Sequence, residues 1–328
     1  MTGFLQVLLF LSALGVARHA DSQRAPAPPA VPIEPIGAIV EAFRSHAIVA
    51  LAEGVHGNEQ GHGFRLALIR DSRFAAIVND IVVECGNAKY QDTMDRFVRG
   101  DDVPYETLRQ VWQNTTQISG VWDRPIYEEF FRAVRVVNAS LPAERQLRVL
   151  LGDPPIDWDR IRQGKDDAGK WTPERDHHAV AVIRREVIAK GRRALVIYGG
   201  GHLFRAGQSL VSQLERDAGI NVFTIAPAMS TMFDDLIALQ PDATSWPIPS
   251  FATVRGTVLD AKQLTYRDAV LYLGPPSAIT FSQLPASLCS DARYLEMRLE
   301  RVRLLGVVDE ESRVREELKR ECAPHTPK

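Results

Sequence analysis

The chain has 328 residues, and its 39 Lys and Arg against 41 Asp and Glu give a formal net charge of -2 at pH 7. This balance gives no reason to expect a nucleic acid or an anionic membrane as the main partner. Hydrophobic residues make up 45% and charged residues 24% of the chain. Such a composition is typical of a soluble globular protein that is long enough to bury a sizeable core.

The N-terminal region differs from this average. An apolar run from Phe4 to Val16 is too short to span a bilayer, and small residues follow it. We interpret residues 1–20 as a signal peptide and residues 21–36 as a Pro/Ala-rich linker, which predicts a secreted or periplasmic protein. Because no Lys or Arg precedes the apolar run, an uncleaved signal anchor and a buried N-terminal helix are the alternatives.

The three cysteines are Cys85, Cys289 and Cys322. An exported chain could pair Cys289 with Cys322, because both fall in the C-terminal helical part. The odd count leaves Cys85, which lies in a predicted core strand. We expect a buried free thiol at this position.

Residues 37–328 are predicted to form one α/β domain in which strands alternate with helices. Several strands are nearly continuous apolar runs, which is typical of strands covered on both faces. The predicted strands are 46–52, 77–85, 146–152, 193–199, 221–226 and 269–273. The predicted helices are 63–71, 88–99, 105–116, 125–140, 174–190 and 203–217. This alternation predicts a three-layer α/β/α fold with a mostly parallel sheet.

Other segments have weaker patterns. The polar segment 157–173 is predicted to be a surface loop or flap, and the segment 229–262 is predicted to be irregular. A charged helical extension is expected from about residue 287 to the C-terminus. We also expect Asp123 to cap the helix that begins near Pro125, a residue that suits a first helical turn.

Four predicted strands end in titratable residues beside glycine or proline, in the sequences "EGVHG", "ECGN", "GDPP" and "GGGH". In a parallel sheet, ligand sites lie outside the carboxyl ends of the strands. The residues at these four ends are therefore candidates for one shared site: Glu53, His56, Glu84, Asp153 and His202.

Each candidate alone has a structural explanation. Glu53 could stabilise a helix N-terminus, His56 could be an ordinary loop histidine, and Asp153 could begin a turn. Glu84 is more telling, because a carboxylate at the end of a core strand is costly to desolvate without a partner. His62, one helical turn beyond the first site, is predicted to lie at the surface.

Two histidines and two or three carboxylates support two kinds of chemistry. In metal-free hydrolysis, a neutral imidazole takes a proton from water while a carboxylate orients the ring. In metal-dependent hydrolysis, the same side chains would hold a divalent ion with an open water position. The sequence does not choose between them, and the alternative metal ligands would be Glu53, His56, Glu84 and His202.

Three sequence blocks resemble the erythromycin esterase-like proteins, which belong to a wider superfamily with the haem-uptake ChaN and Tiki proteins. The blocks are "ALAEGVHGNEQ", "IVVECGN" and "ALVIYGGGHL", and the resemblance covers roughly residues 47–226. It implies that His56 is the general base, with Glu53, Glu84 and His202 as the other catalytic residues. The family usually has Gly and Thr where this chain has Ala52 and Val55, so a macrolide substrate does not follow.

The predicted function is therefore hydrolysis of an ester, lactone or related acyl bond in a small molecule by water that His56 activates. No cofactor is expected. The alternatives are a metal-dependent hydrolase or peptidase of the Tiki type, and a haem-binding or other ligand-binding protein of the ChaN type without turnover. Asp153, Arg65 and Arg70 are the substrate-binding candidates, and a solvent-facing position is the expected alternative for both arginines.

Overall fold

The computed structural model describes residues 27–323, except 163–169, 172, 217–219, 262–263, 265 and 306–309. The predicted signal peptide, 1–20, and the start of the predicted linker lie outside the described residues. The later part of that linker reaches the sheet, where Ile33 forms an antiparallel bridge with Phe251. None of the helices in the described ranges is long and apolar enough to cross a membrane.

The core of the fold is a seven-stranded sheet in the order β3-β2-β4-β1-β5-β7-β6. All neighbouring strands pair in parallel except β6, which runs antiparallel to β7 at one edge. The strands are β1 Ile48–Ala52, β2 Asp80–Asn87, β3 Arg148–Asp153, β4 Ala194–Tyr198, β5 Val222–Pro227, β6 Ser250–Thr253 and β7 Ala269–Tyr272. The predicted mostly parallel sheet is confirmed.

Helices cover both faces of this sheet. They are α1 Pro35–Ser45, α2 Glu59–Arg70, α3 Ser72–Ile77, α4 Gln91–Arg99, α5 Tyr105–Leu108, α6 Gln110–Gln113, α7 Pro125–Ala139, α8 Arg175–Glu186, α9 Leu210–Arg216, α10 Thr231–Leu239, α11 Ala286–Cys289, α12 Ala292–Leu305 and α13 Glu310–Glu321. In β1, Val49 and Leu51 pack into a core with α1 to α4, α6 and α7. Ile48, Ala50 and Ala52 pack into a second core with α8 and α9. Because successive strand residues face opposite sides, this division confirms the three-layer fold.

Three sequence predictions about local structure were wrong. The segment 229–262 contains α10 and β6, because Leu236 and Ala252 join a separate buried cluster that its local pattern does not indicate. The predicted helix 203–217 begins only at Leu210, after a 3-10 turn at Gly200–Leu203.

Asp123 does not cap α7, whose N-cap residue Arg124 makes no side-chain capping bond. Instead, Asp123 accepts a hydrogen bond from Tyr294 at 2.6 Å and pairs with the buried Arg298 of α12. The carboxylate therefore joins α12 to the body of the domain, while Pro125 occupies the first turn of α7 as expected.

The predicted charged helical C-terminus is present as α12 and α13. A disulfide joins Cys289, at the end of α11, to Cys322, just after α13, with their Cα atoms 5.4 Å apart. Cys85 is buried and free. Leu299 and Val302 of α12 pack against Trp158 beyond the end of β3, which holds the C-terminal helices near the carboxyl edge of the sheet.

Candidate active site

Glu53 and His56 form a hydrogen-bonded pair directly after β1. Glu53 is buried, and its Oε2 lies 2.6 Å from Nδ1 of His56. Because an ionised carboxylate only accepts hydrogen bonds, Nδ1 carries the hydrogen in the neutral ring and Nε2 has a free lone pair. The pair therefore presents a potential base nitrogen whose orientation is fixed by its other nitrogen.

The turn that carries this pair is held by Asn58, the N-cap residue of α2. Its Oδ1 accepts from the Gly61 amide at 2.7 Å. Its side-chain amide donates to the carbonyls of Glu53 and Val55, at 2.8 and 2.6 Å. One side chain thus satisfies both the helix start and the turn, which fixes the backbone from Glu53 into α2.

Arg65 and Tyr127 support Glu53 from the core. Nη2 of Arg65 lies 3.7 Å from Oε1 of Glu53, and the Tyr127 hydroxyl donates to Oε2 at 3.5 Å. Arg65 is 4% exposed, so the expectation that it faces solvent was wrong. Its buried charge is balanced by Glu53, which follows the preceding strand β1 and supplies the opposite charge.

The pKa of His56 is raised from its usual value. Burial alone would lower it, but the hydrogen bond and charge of Glu53, together with the charge of Glu84, outweigh that effect. The ring packs edge-on against Trp122, with ring centroids 4.7 Å apart. Arg124 donates to the His56 carbonyl at 2.8 Å and pairs with Glu321 of α13. The C-terminal helix thus contributes to holding this residue.

Glu84, at the carboxyl end of β2, is buried and surrounded by donors. It accepts from Nη2 of Arg175 and from the Gly199 amide, each at 2.7 Å, and Nε2 of His202 lies 3.3 Å away. Burial alone would raise the pKa of this carboxyl, but His202 and Arg175 lower it to about 2. Glu84 is therefore ionised across the physiological range.

His202 differs from His56 because both of its ring nitrogens face carboxylates. Nδ1 lies 2.5 Å from Asp176 and Nε2 lies 3.3 Å from Glu84. Burial opposes the charged form, yet these two carboxylates raise the pKa of His202 to about 9. At neutral pH the ring is a doubly hydrogen-bonded cation, and neither nitrogen is free for a substrate.

Gly199 is the point at which the two histidine sites meet. A Cβ atom on this residue would lie 3.2 Å from Oε2 of Glu84 and 3.3 Å from Nε2 of His56. Glycine therefore keeps open the space between the free imidazole nitrogen and the carboxylate. Through this close approach and the direct contacts of Glu53 and His202, the four predicted catalytic residues lie together at the carboxyl edge of the sheet.

Of the two remaining sequence candidates, Asp153 lies behind Arg175, and Arg70 lies at the far end of α2. Asp153 is buried, and its oxygens accept from the Thr116 amide and hydroxyl at 2.7 and 2.5 Å. Burial raises its pKa to about 7 despite Arg175, whose Nε lies 3.5 Å away. In this arrangement Asp153 supports Arg175. Arg70 is exposed at the far end of α2, about 16 Å from the start of that helix at the usual rise per residue.

His62 was wrongly predicted to lie at the surface. It is buried on α2, and its Nε2 lies 3.0 Å from Oε2 of Glu129 on α7. Burial lowers its pKa below the usual value. The glutamate partner, distant in sequence, accounts for a histidine at a helix–helix contact.

Sequence reasoning missed Arg175 and Asp176, which carry much of the charge around Glu84 and His202. Both begin α8, the helix that connects β3 to β4. Such a helix starts at the carboxyl edge of the sheet, so charged residues in its first turn face the same edge as the strand ends. The charged sequence "RDHH", which follows the predicted loop, could have indicated these two residues.

The donor set does not fit a metal centre in this arrangement. Within the described parts of the chain, no group of three or more His, Cys, Asp or Glu side chains could hold a metal ion. Glu84 already binds a guanidinium, and both nitrogens of His202 are engaged. Metal binding would require these contacts to break.

Comparisons with known proteins give only distant similarities. No family model matches the chain, and no curated protein matches it. Three similar solved structures are the type III effector HopBA1 (12% identity, TM-score 0.43, covering 76% of this chain and 99% of that one), ChaN of Campylobacter jejuni with cofacial haem (14%, 0.36, 60% and 86%) and a succinoglycan biosynthesis protein (10%, 0.47, 78% and 96%). All three TM-scores are below 0.5, so these similarities carry no argument about the activity of the chain.

Proposed function

We propose that this protein hydrolyses an ester, lactone or related acyl bond with water that His56 activates. The observation that carries the proposal is the pairing of His56 Nδ1 with the buried Glu53, which leaves Nε2 free beside Gly199. Burial alone would lower the pKa of His56, but the hydrogen bond and charge of Glu53 raise it above its usual value, which makes Nε2 a stronger base.

The chemistry needs no group beyond water and the substrate. Nε2 of His56 takes a proton as the water oxygen bonds to the acyl carbon, and the carbonyl electrons move onto oxygen. The intermediate then collapses, the acyl carbon–oxygen bond breaks, and Nε2 returns the proton to the leaving oxygen. Glu53 stabilises the imidazolium that exists between these steps.

We assign Arg175 as the charge that stabilises the developing oxyanion. Its side chain is 16% exposed and is fixed by Glu84 and Asp153, so it requires little reorganisation when charge develops. His202 holds Glu84 from the other side. We therefore assign His202 as a positioning residue, which acts through Glu84 and does not touch the substrate.

The test is hydrolysis of a panel of nitrophenyl esters and aliphatic lactones by the full chain. We expect turnover in the wild type and its loss in His56→Gln. His46→Gln is the matched control, because His46 lies at the opposite, amino end of β1. A folded His56→Gln protein with unchanged turnover would overturn the proposal.

The same assay separates the alternatives. Activity that is lost in EDTA and restored by a divalent ion would support the metal-dependent hydrolase and contradict the metal-free mechanism. For the haem-binding alternative, haemin is titrated while absorbance is followed. Stoichiometric binding that His202→Ala abolishes, in a protein without turnover, would support that alternative.

A further inference from the structure

A cleft of about 260 Å³ adjoins the Glu53–His56 pair. It lies over the carboxyl ends of β1, β4 and β5. Its lining includes Gly54, Val55, Gly200, Pro227, Met229 and Arg267. Because Gly54 and Val55 lie between Glu53 and His56, a molecule in this cleft would lie beside the proposed base.

Among the described residues that line this cleft, Arg267 is the only one with a charged side chain, and its hydrogen bonding is incomplete. It is 4% exposed, and its buried Nε has no hydrogen-bond partner among the described residues. Nη1 donates to the Tyr266 carbonyl at 3.1 Å, and Nη2 reaches the Gly200 carbonyl only at 3.5 Å. Both of these acceptors are neutral carbonyl groups, and no carboxylate among the described residues hydrogen-bonds to the guanidinium.

Asp268, the residue after Arg267, already has other partners. Asp268 pairs with Arg205 at 2.7 Å and also accepts from the Thr224 amide at 2.8 Å. Burial, followed by the charge of Arg205, lowers the pKa of Arg267 to about 10. Arg267 thus remains a cation at neutral pH, although its surroundings disfavour the charge.

One face of the guanidinium is covered. Its Cζ lies 4.4 Å from the centroid of the Phe204 ring. This contact orients the planar group and leaves its edge as the part that can bind oxygen atoms. A buried cation without an anion is costly, and an oxyanion bound at that edge would remove much of the cost.

We propose that Arg267 binds an oxyanion group of the substrate, a carboxylate or a phosphate, in the cleft beside His56. The substrate class would then be an ester or lactone that carries a negative charge near the bond to be cleaved. The assignment of a substrate class rests on the proposed hydrolase function. Binding of the anion itself does not require turnover.

The first experiment measures binding by calorimetry, with succinate and inorganic phosphate as two separate probes and succinamide as the neutral analogue. We expect the wild type to bind at least one of the anions and not succinamide. Arg267→Met should weaken that binding 10-fold or more, and Arg267→Lys should weaken it less, because lysine keeps the charge and loses the planar pair of donors. Stronger binding of succinate assigns a carboxylate, and stronger binding of phosphate assigns a phosphate.

A second pair of variants leaves Arg267 in place. Thr231 is exposed at the start of α10 and lines the same cleft. Thr231→Glu should weaken anion binding by placing a competing carboxylate there, whereas Thr231→Gln should leave it unchanged. This pair decides the matter if Arg267→Met does not fold. Equal binding by all folded variants, or no binding of either anion by the wild type, would overturn the inference.

Turnover distinguishes this inference from the proposed function. Nitrophenyl acetate and nitrophenyl hemisuccinate differ in one carboxylate. If the hydrolase proposal holds and this inference fails, Arg267→Met will hydrolyse both esters as the wild type does. If anion binding depends on Arg267 while neither ester is hydrolysed, the anion site survives and the hydrolase proposal fails.

Discussion

His56 and His202 lie on either side of Gly199, and they differ in how many of their nitrogens are occupied. His202 faces carboxylates with both nitrogens, and its pKa is raised to about 9. Within the described ranges, His56 has one carboxylate partner, and its Nε2 has no hydrogen-bond partner. A histidine can accept a proton from water only where one ring nitrogen is unprotonated and unbonded, whereas a ring bonded at both nitrogens can only hold its neighbours in place.

The largest expected effect is on turnover. His56→Gln should reduce kcat/KM by about 10² to 10⁴, the usual contribution of a general base. His202→Gln should cause a smaller loss, because Glu84 keeps Arg175 and the Gly199 amide as partners. The two variants are compared on the same ester. Equal losses, with both proteins folded, would remove the distinction between the two histidines.

The next largest effect is on the free energy of unfolding, through the ion pairs that Arg175 forms next to His202. Arg175→Met leaves Glu84 and Asp153 buried without their shared cation, which should lower the free energy of unfolding by about 3 to 5 kcal/mol. Urea denaturation measures the change. Arg185→Met is the control on the same helix, because Arg185 is largely exposed and should change stability by less than about 0.5 kcal/mol. Similar values for both variants would contradict the role of Arg175.

Removing the C-terminal disulfide tests whether the C-terminal helix α13 helps to position His56. The double variant Cys289→Ser/Cys322→Ser should lose about 3 kcal/mol of stability, because the bond closes a loop between residues 33 positions apart. It should also reduce turnover, since Glu321, which holds Arg124 against the His56 carbonyl, adjoins Cys322. The control is Glu321→Gln with the disulfide intact. If that variant keeps full turnover, the C-terminal helix does not position His56.

The smallest effect depends on pH. The raised pKa of His202 means that its stabilising contribution is complete below pH 6.5 and is lost as pH rises through about 9. The wild type should therefore exceed His202→Gln in stability by about 2 to 3 kcal/mol more at pH 6 than at pH 10. Chemical denaturation at both pH values measures this difference. A difference that does not change with pH would show that His202 is not charged in the fold.

The fold was largely predictable because its strands are buried on both faces and appear as apolar runs, such as "IVALA" in β1. The edge strand β6 was missed, since it has four residues and follows the Pro-rich segment that contains Ile248 and Pro249. Its position is fixed by antiparallel pairing with β7. Because β7 is distant from β6 in sequence, the residues around β6 alone do not indicate this pairing.

The site was predictable only in part, and the reason is again distance along the chain. Glu53, Glu84 and His202 could be named because strand ends converge at one edge of a parallel sheet. The contacts around them could not be named, because Arg175 is 91 residues from Glu84 and Glu321 is 197 residues from Arg124. The burial of Arg65 was unexpected because most arginines lie at the surface, although its partner Glu53 is close in sequence.

The most direct test of the contrast between the two histidines is a histidine NMR titration, with His56→Gln and His202→Gln used to assign the signals. His202 should titrate near pH 9, and His56 should titrate above 6.5 with its neutral ring protonated at Nδ1. A pKa of His56 below 6.5, or a neutral ring protonated at Nε2, would contradict its assignment as the base.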